Sequence, residues 1–288
     1  MLFRSNIPAP EYPFNITYQD AIMLIGSCFS DNIGSYFTRH QFDVKSNPFG
    51  VLFNPISIDH SIRLMLNPER FDKDRYFYKT RDLWVSFAHH GRFSRENFEV
   101  FEQNIDEQLA TASEFLYRTD VLFVTFGTAF CYQFIPRNLI VSNCHKIPNN
   151  QFNRFRLTEK QIVSQWRETI TQLLEVRPNL KIVFTVSPVR HVGDGLHENT
   201  LSKAILLLAT EKLVDQEHTF YFPSYEYLMD DLRDYRFYAK DLFHPNDLAI
   251  EYMEEKVSES FFDPQTAEQV RLVAQQNKFR NHRRLRVE

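Results

Sequence analysis

The stretch AIMLIGSCFSDNIGSYF, residues 21–37, runs from five apolar residues into Gly26 and Ser27 and then into the pattern of a helix start. A buried strand that passes through a glycine directly into a helix is typical of a parallel α/β sheet, in which ligands bind at the carboxyl ends of the strands. Three further apolar runs lack polar alternation, as expected of strands covered on both faces. The four predicted strands are AIMLI (21–25), VLFVTF (121–126), KIVFTV (181–186) and TFYF (219–222).

Helical patterns separate these strands along the chain. The clearest covers residues 157–174 and begins with Thr158 and Gln161 at the spacing of a capping box. Strands that alternate with helices predict an α/β fold with a doubly wound parallel sheet and right-handed crossovers. The other predicted helices cover 94–116, 197–213 and 246–262.

Two segments interrupt the alternation and predict two-stranded ribbons. Residues 75–93 and 130–148 are rich in aromatic and β-branched residues, and we expect them to be insertions folded over one edge of the sheet. The chain is therefore interpreted as one α/β domain, residues 1–263, with these decorations. A C-terminal helical extension is predicted for residues 264–288.

The composition excludes several classes of protein. Apolar residues make up 43% of 288 residues, enough for a large core, and the net charge of −4 argues against nucleic-acid binding. Only the tail 277–288 is basic, which is typical of a solvated or docked helix end. No segment has the ~18 continuous apolar residues of a membrane span, and the start lacks the features of a signal peptide. Three cysteines indicate a reducing compartment, and we expect a cytoplasmic protein without a cofactor.

Glycines are few, and they gather at predicted strand ends. Gly26 and Gly127 end two strands, and Gly193 and Gly195 follow a third. Glycine is chiefly required for positive φ angles or close backbone approach. Any one of them is explained by a strand-to-helix turn, but together they predict an edge of the sheet that faces a ligand.

Ser27 lies at this edge, where the first turn of a helix presents free N–H groups and a positive dipole. A serine needs a base to become nucleophilic, and the base needs an acid to orient it. Among ten histidines, His244 stands out because Pro245 keeps it out of helical geometry and Asp241 lies three residues earlier. The sequence thus predicts a catalytic triad of Ser27, Asp241 and His244.

Two other possible roles, a cysteine nucleophile and a zinc site, have less support in the sequence than the triad. Cys28 is adjacent to Ser27, but a cysteine at an apolar helix start is most often a packing residue. Cys131, Cys144 and His145 lack the CxxC spacing that supports zinc sites, so we interpret the cysteines as buried thiols and predict no metal.

The residues GSCFS (26–30) nearly reproduce the five letters that name the GSCFA family, with Ser30 where the name has alanine. The resemblance extends over most of residues 20–260. Its further motifs are SNPFGVLFNP (46–55), VTFGTA (124–129), SNCHKIP (142–148), TVSPVRH (185–191) and RDYRFYAKDLFHPN (233–246).

The GSCFA family is similar to SGNH (GDSL-type) hydrolases, and this resemblance implies a flavodoxin-like α/β/α sandwich. It implies that Ser27 is the nucleophile, that the backbone N–H groups of Ser27 and Gly50 hold the oxyanion, and that Asp241 and His244 complete the triad. The same superfamily usually has an asparagine in the oxyanion hole at the position occupied here by Ala129. Loss of one such donor typically costs ~2.7–4 kcal/mol in transition-state stabilisation.

Other polar residues near the motifs are candidates for the missing donor and for substrate binding. Asn143 is a candidate oxyanion donor and is equally typical of a turn, and His145, two residues later, is a candidate substrate-binding residue. Gly127 is a candidate substrate-binding residue in the strand-end loop. Arg190 is a candidate for binding an anionic or sugar substrate, although pairing with a surface carboxylate is the favoured explanation.

The leading hypothesis is a serine esterase that removes an acyl group, with acetyl favoured, from a carbohydrate or a small hydroxylated substrate. An acyltransferase would use the same residues with a different second nucleophile. A catalytically silent binding module is the alternative from another class, and Ala129 is its best support. The sequence gives no signal for an oligomeric state.

Overall fold

The computed structural model describes residues 5–193 and 195–284. The residues that the structure describes form the strands β1 (Ala21–Gly26), β2 (Asp43–Ser46), β3 (Phe77–Lys79), β4 (Trp84–Ser86), β5 (Val121–Phe126), β6 (Phe130–Phe134), β7 (Leu139–Val141), β8 (Phe152–Arg156), β9 (Lys181–Val186) and β10 (Thr219–Tyr221). The α-helices in the same ranges are α1 (Cys28–Arg39), α2 (Pro55–Leu66), α3 (Lys73–Tyr76), α4 (Phe98–Leu116), α5 (Glu159–Val176), α6 (Leu196–Leu213), α7 (Ser224–Glu226), α8 (Asp247–Phe261) and α9 (Pro264–Arg284).

Five strands form the central sheet in the order β10-β9-β5-β1-β2, and every neighbouring pair is parallel. The predicted α/β fold class is therefore confirmed, and the order is the flavodoxin-like arrangement of doubly wound sheets. From β1 the chain moves outward to β2 and then returns to place β5 on the other side. The direction of winding thus reverses between β1 and β5, which is where such sheets bind ligands.

Alternate residues of β1 face two different apolar clusters. Met23 and Ile25 belong to the larger cluster, which includes residues of α2, α4, α5 and α6. Ile22 and Leu24 belong to the second cluster, which includes residues of α1 and α8. Helices therefore cover both faces of the sheet, and the carboxyl ends of the strands stay available for loops.

The sequence did not predict the edge strand β2. Its residues, DVKS, are polar and none of them is fully buried, so it lacks the apolar signal of the central strands. Edge strands are commonly short and polar because these features oppose pairing with other chains. Backbone pairing with β1, from Ala21↔Asp43 to Leu24↔Ser46, defines this strand instead.

Both segments that interrupt the alternation contain antiparallel strands. β3 pairs with β4 in a two-stranded sheet, and β6 pairs with β7 on one side and with β8 on the other. The sequence predicted no strand at β8, whose residues FNRFR carry two charges. This three-stranded sheet provides one wall of the cavity described below.

Helix boundaries follow their capping residues. Asn97 caps α4 by accepting a hydrogen bond from Val100 N–H, so this helix begins at Phe98 and not at residue 94 as predicted. The capping box of Thr158 and Gln161 is present at the start of α5. Capping of this kind satisfies N–H groups that have no partner within a helix.

The C-terminal helix α9 packs on the same side of the sheet as α1. Val270 belongs to the second apolar cluster, and Asn277 donates a hydrogen bond to the carbonyl of Arg39 at 2.9 Å. The division of the chain at residue 264 stays a prediction, and residues 285–288 of the basic tail lie outside the described residues. Among the described helices, none combines the length and apolar character needed to cross a membrane.

Candidate active site

Gly26 and Ser27 form a tight turn at the end of β1. Gly26 has a φ angle of +145°, and a Cβ atom there would lie 2.2 Å from the carbonyl oxygen of Thr125 on β5. Ser27 caps α1, since its Oγ accepts a hydrogen bond from Phe29 N–H at 3.3 Å. The side chain of Ser27 is fully buried. Only glycine fits at position 26, and the serine that follows is held by the helix it caps.

Asn47, which the sequence analysis did not single out, fixes this turn. Its Oδ1 accepts a hydrogen bond from Gly26 N–H at 2.8 Å, and its Nδ2 donates to Asp31 at 2.7 Å. Asn47 is fully buried and has a φ angle of +42°, which asparagine tolerates better than most residues. The dipeptide Asn47-Pro48 was the available signal, since Asn-Pro favours turn initiation.

Gly50 lies in the turn that begins at Asn47. Its N–H donates to the Asn47 carbonyl at 2.7 Å, and its φ angle is +80°. This N–H is therefore engaged within the turn, and its use as an oxyanion donor stays a prediction. The N–H of Ser27 makes a long hydrogen bond of 3.4 Å to Thr125, so that donor is held more weakly.

Asp241 and His244 form a close pair on the loop before α8. The Nδ1 of His244 lies 2.6 Å from Asp241 Oδ2, and Asp241 Oδ1 accepts hydrogen bonds from the N–H groups of His244 and Phe243. These backbone bonds, followed by the imidazole bond, lower the pKa of the Asp241 carboxyl to about 2. Leu242, inside this turn, has a φ angle of +66°, which is unusual for a leucine and is typical of strained functional sites.

The loop of His244 lies against the carboxyl end of β9. Arg190 N–H, just beyond β9, donates to the Phe243 carbonyl at 3.3 Å. Only β5 separates β9 from β1, so Ser27 and His244 lie along the same edge of the sheet. Within the described chain no hydrogen bond joins Ser27 to His244, and the Nε2 of His244 has no hydrogen-bond partner there.

A cavity of about 290 Å³ opens at this edge, between the central sheet and the sheet of β6, β7 and β8. His191 lies in its wall, its ring edge-on to Phe53 with centroids 5.2 Å apart. Its Nε2 is buried and has no hydrogen-bond partner among the described residues. Burial, followed by the charges of Lys203 and His244, lowers the pKa of His191 to about 4, so the ring is neutral near pH 7.

Asn143 lies in the wall of this cavity, whereas His145 and Arg190 do not. The Oδ1 of Asn143 accepts a hydrogen bond from His145 N–H at 2.8 Å, as in a turn. The imidazole of His145 bonds to the Ser86 carbonyl and borders a different cavity. Arg190 donates to the hydroxyl of Tyr238 at 3.0 Å and lies over its ring.

In the loop after β5, the backbone N–H groups of Gly127 and Ala129 both have hydrogen-bond partners. Gly127 N–H donates to the Phe53 carbonyl at 2.8 Å, so Gly127 packs against the cavity wall by its backbone. Ala129 is fully buried, and its N–H donates to Ser202 Oγ on α6 at 2.8 Å. Residues of α6 therefore fill the space behind the position where the resemblance expects an asparagine.

The cysteines are unsuited to act as thiolates. Burial raises the pKa of Cys131 to about 12 and that of Cys144 to about 11, and burial followed by the charge of Asp31 raises the pKa of Cys28. Among the side chains that the structure describes, in residues 5–193 and 195–277, no three histidine, cysteine or acidic groups lie together so that they could hold a metal ion.

The fold and the site together define an α/β protein with a serine and an aspartate–histidine pair at the switch-point edge of a parallel sheet. The model of the GSCFA family matches residues 21–257, and the chain belongs to this family. No curated protein matches the sequence.

Two solved structures resemble the chain at low similarity. One is a carbohydrate esterase family 3 protein from Talaromyces cellulolyticus, at 7% identity and a TM-score of 0.39, covering 89% of this chain and 99% of the other. The second is the acetyl xylan esterase Est2A from the rumen bacterium Butyrivibrio proteoclasticus, at 14% identity and a TM-score of 0.34, covering 76% of this chain and 57% of the other.

Proposed function

We propose that the protein is an SGNH-type serine esterase that removes an acyl group, with acetyl favoured, from a carbohydrate or a small hydroxylated substrate. Ser27 is the nucleophile, His244 the base and Asp241 the residue that orients the base. The observation that carries the proposal is the 2.6 Å contact between Asp241 and His244 Nδ1, on a strained turn at the sheet edge that contains Ser27.

The proposed reaction begins when Ser27 Oγ attacks the ester carbonyl and His244 Nε2 accepts its proton. Asp241 holds Nδ1–H and stabilises the imidazolium that forms. The C–O bond to the alcohol then breaks as His244 returns the proton to the leaving oxygen. Water, deprotonated by the same imidazole, attacks the acyl-enzyme and releases the carboxylic acid and free Ser27.

The burial of Ser27 gives this mechanism a structural requirement. Its Oγ caps α1 through Phe29 N–H, so attack requires this hydrogen bond to be exchanged and the cover over Ser27 to open. Catalytic hydrogen bonds are often long in the free enzyme and tighten in the complex with substrate. We therefore expect substrate to enter from the cavity walled by Asn143 and His191.

The test combines a fluorophosphonate probe with p-nitrophenyl acetate. We expect the wild-type protein to be labelled and to release p-nitrophenol, and the Ser27→Ala variant to do neither. Ser142→Ala is the matched control, because Ser142 lies in the cavity wall but not in the proposed triad. Labelling that persists in Ser27→Ala would contradict the assignment of the nucleophile.

The two alternatives give different results in the same assay. Added glycerol would become acetylated by an acyltransferase, whereas an esterase would release mainly acetate. A silent binding module would be inert to both reagents, and the fully buried Ser27 together with Ala129 is the observation that favours it.

A further inference from the structure

Lys203 is a buried cation at the same edge of the sheet. It lies on α6, and only 1% of its surface is exposed. Its Nζ donates hydrogen bonds to the carbonyls of Gly127 at 2.7 Å and Ser187 at 2.6 Å. No carboxylate of the described chain lies within ion-pair distance of Nζ. The ammonium is thus stabilised by hydrogen bonds to two neutral carbonyl groups.

The two carbonyls place the ammonium beside the turn of Ser27. Gly127 and Ser187 are the first residues beyond β5 and β9, and β5 is the direct neighbour of β1. In the register of the sheet Gly26, which precedes Ser27, is opposite Thr125, and Gly127 follows Thr125 by two residues. Neighbouring strands are about 4.8 Å apart, so the end of β1, which leads into Ser27, lies one strand spacing from the end of β5, which leads into Gly127. The Lys203 ammonium is also near enough to the Cys28 thiol for each group to affect the pKa of the other.

A purely structural role explains this arrangement poorly. Removing an ammonium from water is unfavourable, and an apolar side chain of similar length would fill the same space without that desolvation penalty. Burial lowers the pKa of Lys203 to about 7. A buried charge without a counter-ion favours any negative charge that develops near it, because the local dielectric constant is low.

We propose that Lys203 supplies the positive charge that stabilises the oxyanion formed at Ser27, in place of the asparagine that is absent at position 129. The inference rests on the proposed esterase function. Lys203 acts through its electrostatic field and by holding the Gly127 loop in place through a hydrogen bond. It is therefore a positioning residue that does not touch substrate.

The pH dependence of Ser27 acylation distinguishes this role from a structural one. Protonated Lys203 provides the charge at low pH, and the charge is lost as pH rises through the lysine pKa. Two other titratable groups face Lys203. Cys28 on α1 stays a neutral thiol because its pKa is raised, and His191 after β9 stays neutral because its pKa is about 4. We therefore expect the rate of acylation to fall on the alkaline side of neutrality.

The experiment measures the rate of fluorophosphonate labelling from pH 5 to 9.5. In the wild type we expect an alkaline decline centred near pH 7. Lys203→Arg keeps the charge at every pH and should remove the decline. Lys203→Met should label about 100-fold more slowly than the wild type at pH 6, the lower end of the loss expected when one source of oxyanion stabilisation is removed.

Two further variants are the controls. Lys256→Met removes another buried lysine, on α8 and paired with Glu259, and should leave the profile unchanged. Cys28→Ala should retain the alkaline decline. A decline that disappears with Cys28→Ala would overturn the assignment to Lys203.

The wild-type profile keeps the inference testable if the Lys203 variants do not fold. Ser27-dependent labelling that stays constant up to pH 9.5 would overturn the role of Lys203 and leave the esterase proposal intact. Absence of any Ser27-dependent labelling would overturn both.

Discussion

The side chain of Asn47 joins parts of the candidate site that are distant in the chain. Its Oδ1 accepts from Gly26 N–H at the end of β1 and its Nδ2 donates to Asp31 on α1, while the backbone carbonyl of Asn47 accepts from the N–H of Gly50. Because Asn47 is fully buried, water cannot replace the two side-chain bonds when the amide is removed. The turn of Ser27 therefore depends on this residue as much as on Gly26.

We expect Asn47→Ala to lower both stability and Ser27 labelling. The variant leaves Gly26 N–H buried without a partner, at a cost of about 1–3 kcal/mol. Asn138→Ala is the matched control, since Asn138 has a similar φ angle of +47° but is exposed. Urea unfolding measures both variants, and equal losses of free energy of unfolding would show that the buried hydrogen bonds contribute nothing.

A second prediction concerns Asp241. In Asp241→Asn, an amide group facing Nδ1 favours the wrong imidazole tautomer, and we expect kcat to fall by about 10⁴-fold. Because the Asp241 pKa is lowered to about 2, the wild-type carboxylate stays ionised down to that pH, and this orienting bond should not itself limit activity between pH 4 and 9.

Asp234→Asn is the control for this prediction. Asp234 lies in the same loop, is exposed, and also accepts a hydrogen bond from a backbone N–H two residues later. Steady-state hydrolysis of p-nitrophenyl acetate measures both variants. A similar loss in both would indicate that the loop fold, and not the imidazole tautomer, is what Asp241 supports.

The sequence singled out candidate site residues but not the residues that contact them in the structure. Ser27, Asp241 and His244 have distinctive neighbours, namely a strand-end glycine and an adjacent proline. Asn47 also precedes a proline, but that neighbour signals only a turn and not the bond to Gly26, 21 positions away. Lys203 lies within a helix of ordinary composition, and its bond to Gly127 spans 76 positions. Such roles depend on three-dimensional contacts that no local pattern records.

At the scale of elements, the loop from Asp234 to Asn246 is held against the end of β9 by Arg190. The guanidinium donates to Tyr238 and lies 4.9 Å from the centre of its ring, while the Arg190 backbone N–H bonds to Phe243. The sequence analysis considered Arg190 for substrate binding or for pairing with a carboxylate. Its contacts favour a role in positioning His244, and its use in substrate binding stays a prediction.

We expect Arg190→Gln to reduce kcat/KM about tenfold while leaving the shape of the pH profile unchanged, because the base would be less well placed but chemically the same. Amide hydrogen exchange in residues 234–246 should become faster. Arg236→Gln is the control, since Arg236 pairs with Asp234 at the surface. Unchanged exchange in Arg190→Gln would contradict the positioning role.

Elements with apolar signals were predictable, and those without them were not. The four apolar strands and the capping box at Thr158 were identified from residue types alone. β2 and β8 were not, because polar strands are defined by backbone pairing with a neighbour and carry little periodicity. The three-stranded sheet that walls the cavity therefore required the structure.

At the scale of the whole molecule, the fully buried His89 and the partly buried His60 and His191 make the stability of the fold depend on protonation. Burial is the largest cause that lowers the pKa of His60 and His191 to about 4 and that of His89 to about 3. An unfolded histidine has a pKa of about 6.5, so the unfolded chain binds more protons between these values. The stability that depends on these neutral rings is complete above pH 6.5 and is lost as pH falls through about 4.

We therefore expect the free energy of unfolding to fall between pH 7 and 4.5, by up to about 1.4 kcal/mol per pH unit for each histidine. His60 is the most suitable for substitution, because its Nε2 has no hydrogen-bond partner in the described chain and its ring stacks on Tyr76 at 4.9 Å. His60→Phe retains the stacking and removes one titrating group, so its unfolding should depend less steeply on pH. Urea unfolding at several pH values measures this slope, with His197→Gln, an exposed histidine, as the control. If His60→Phe and the wild type lose stability in parallel, then His60 is not protonated on unfolding and the acid sensitivity of the fold must come from other groups.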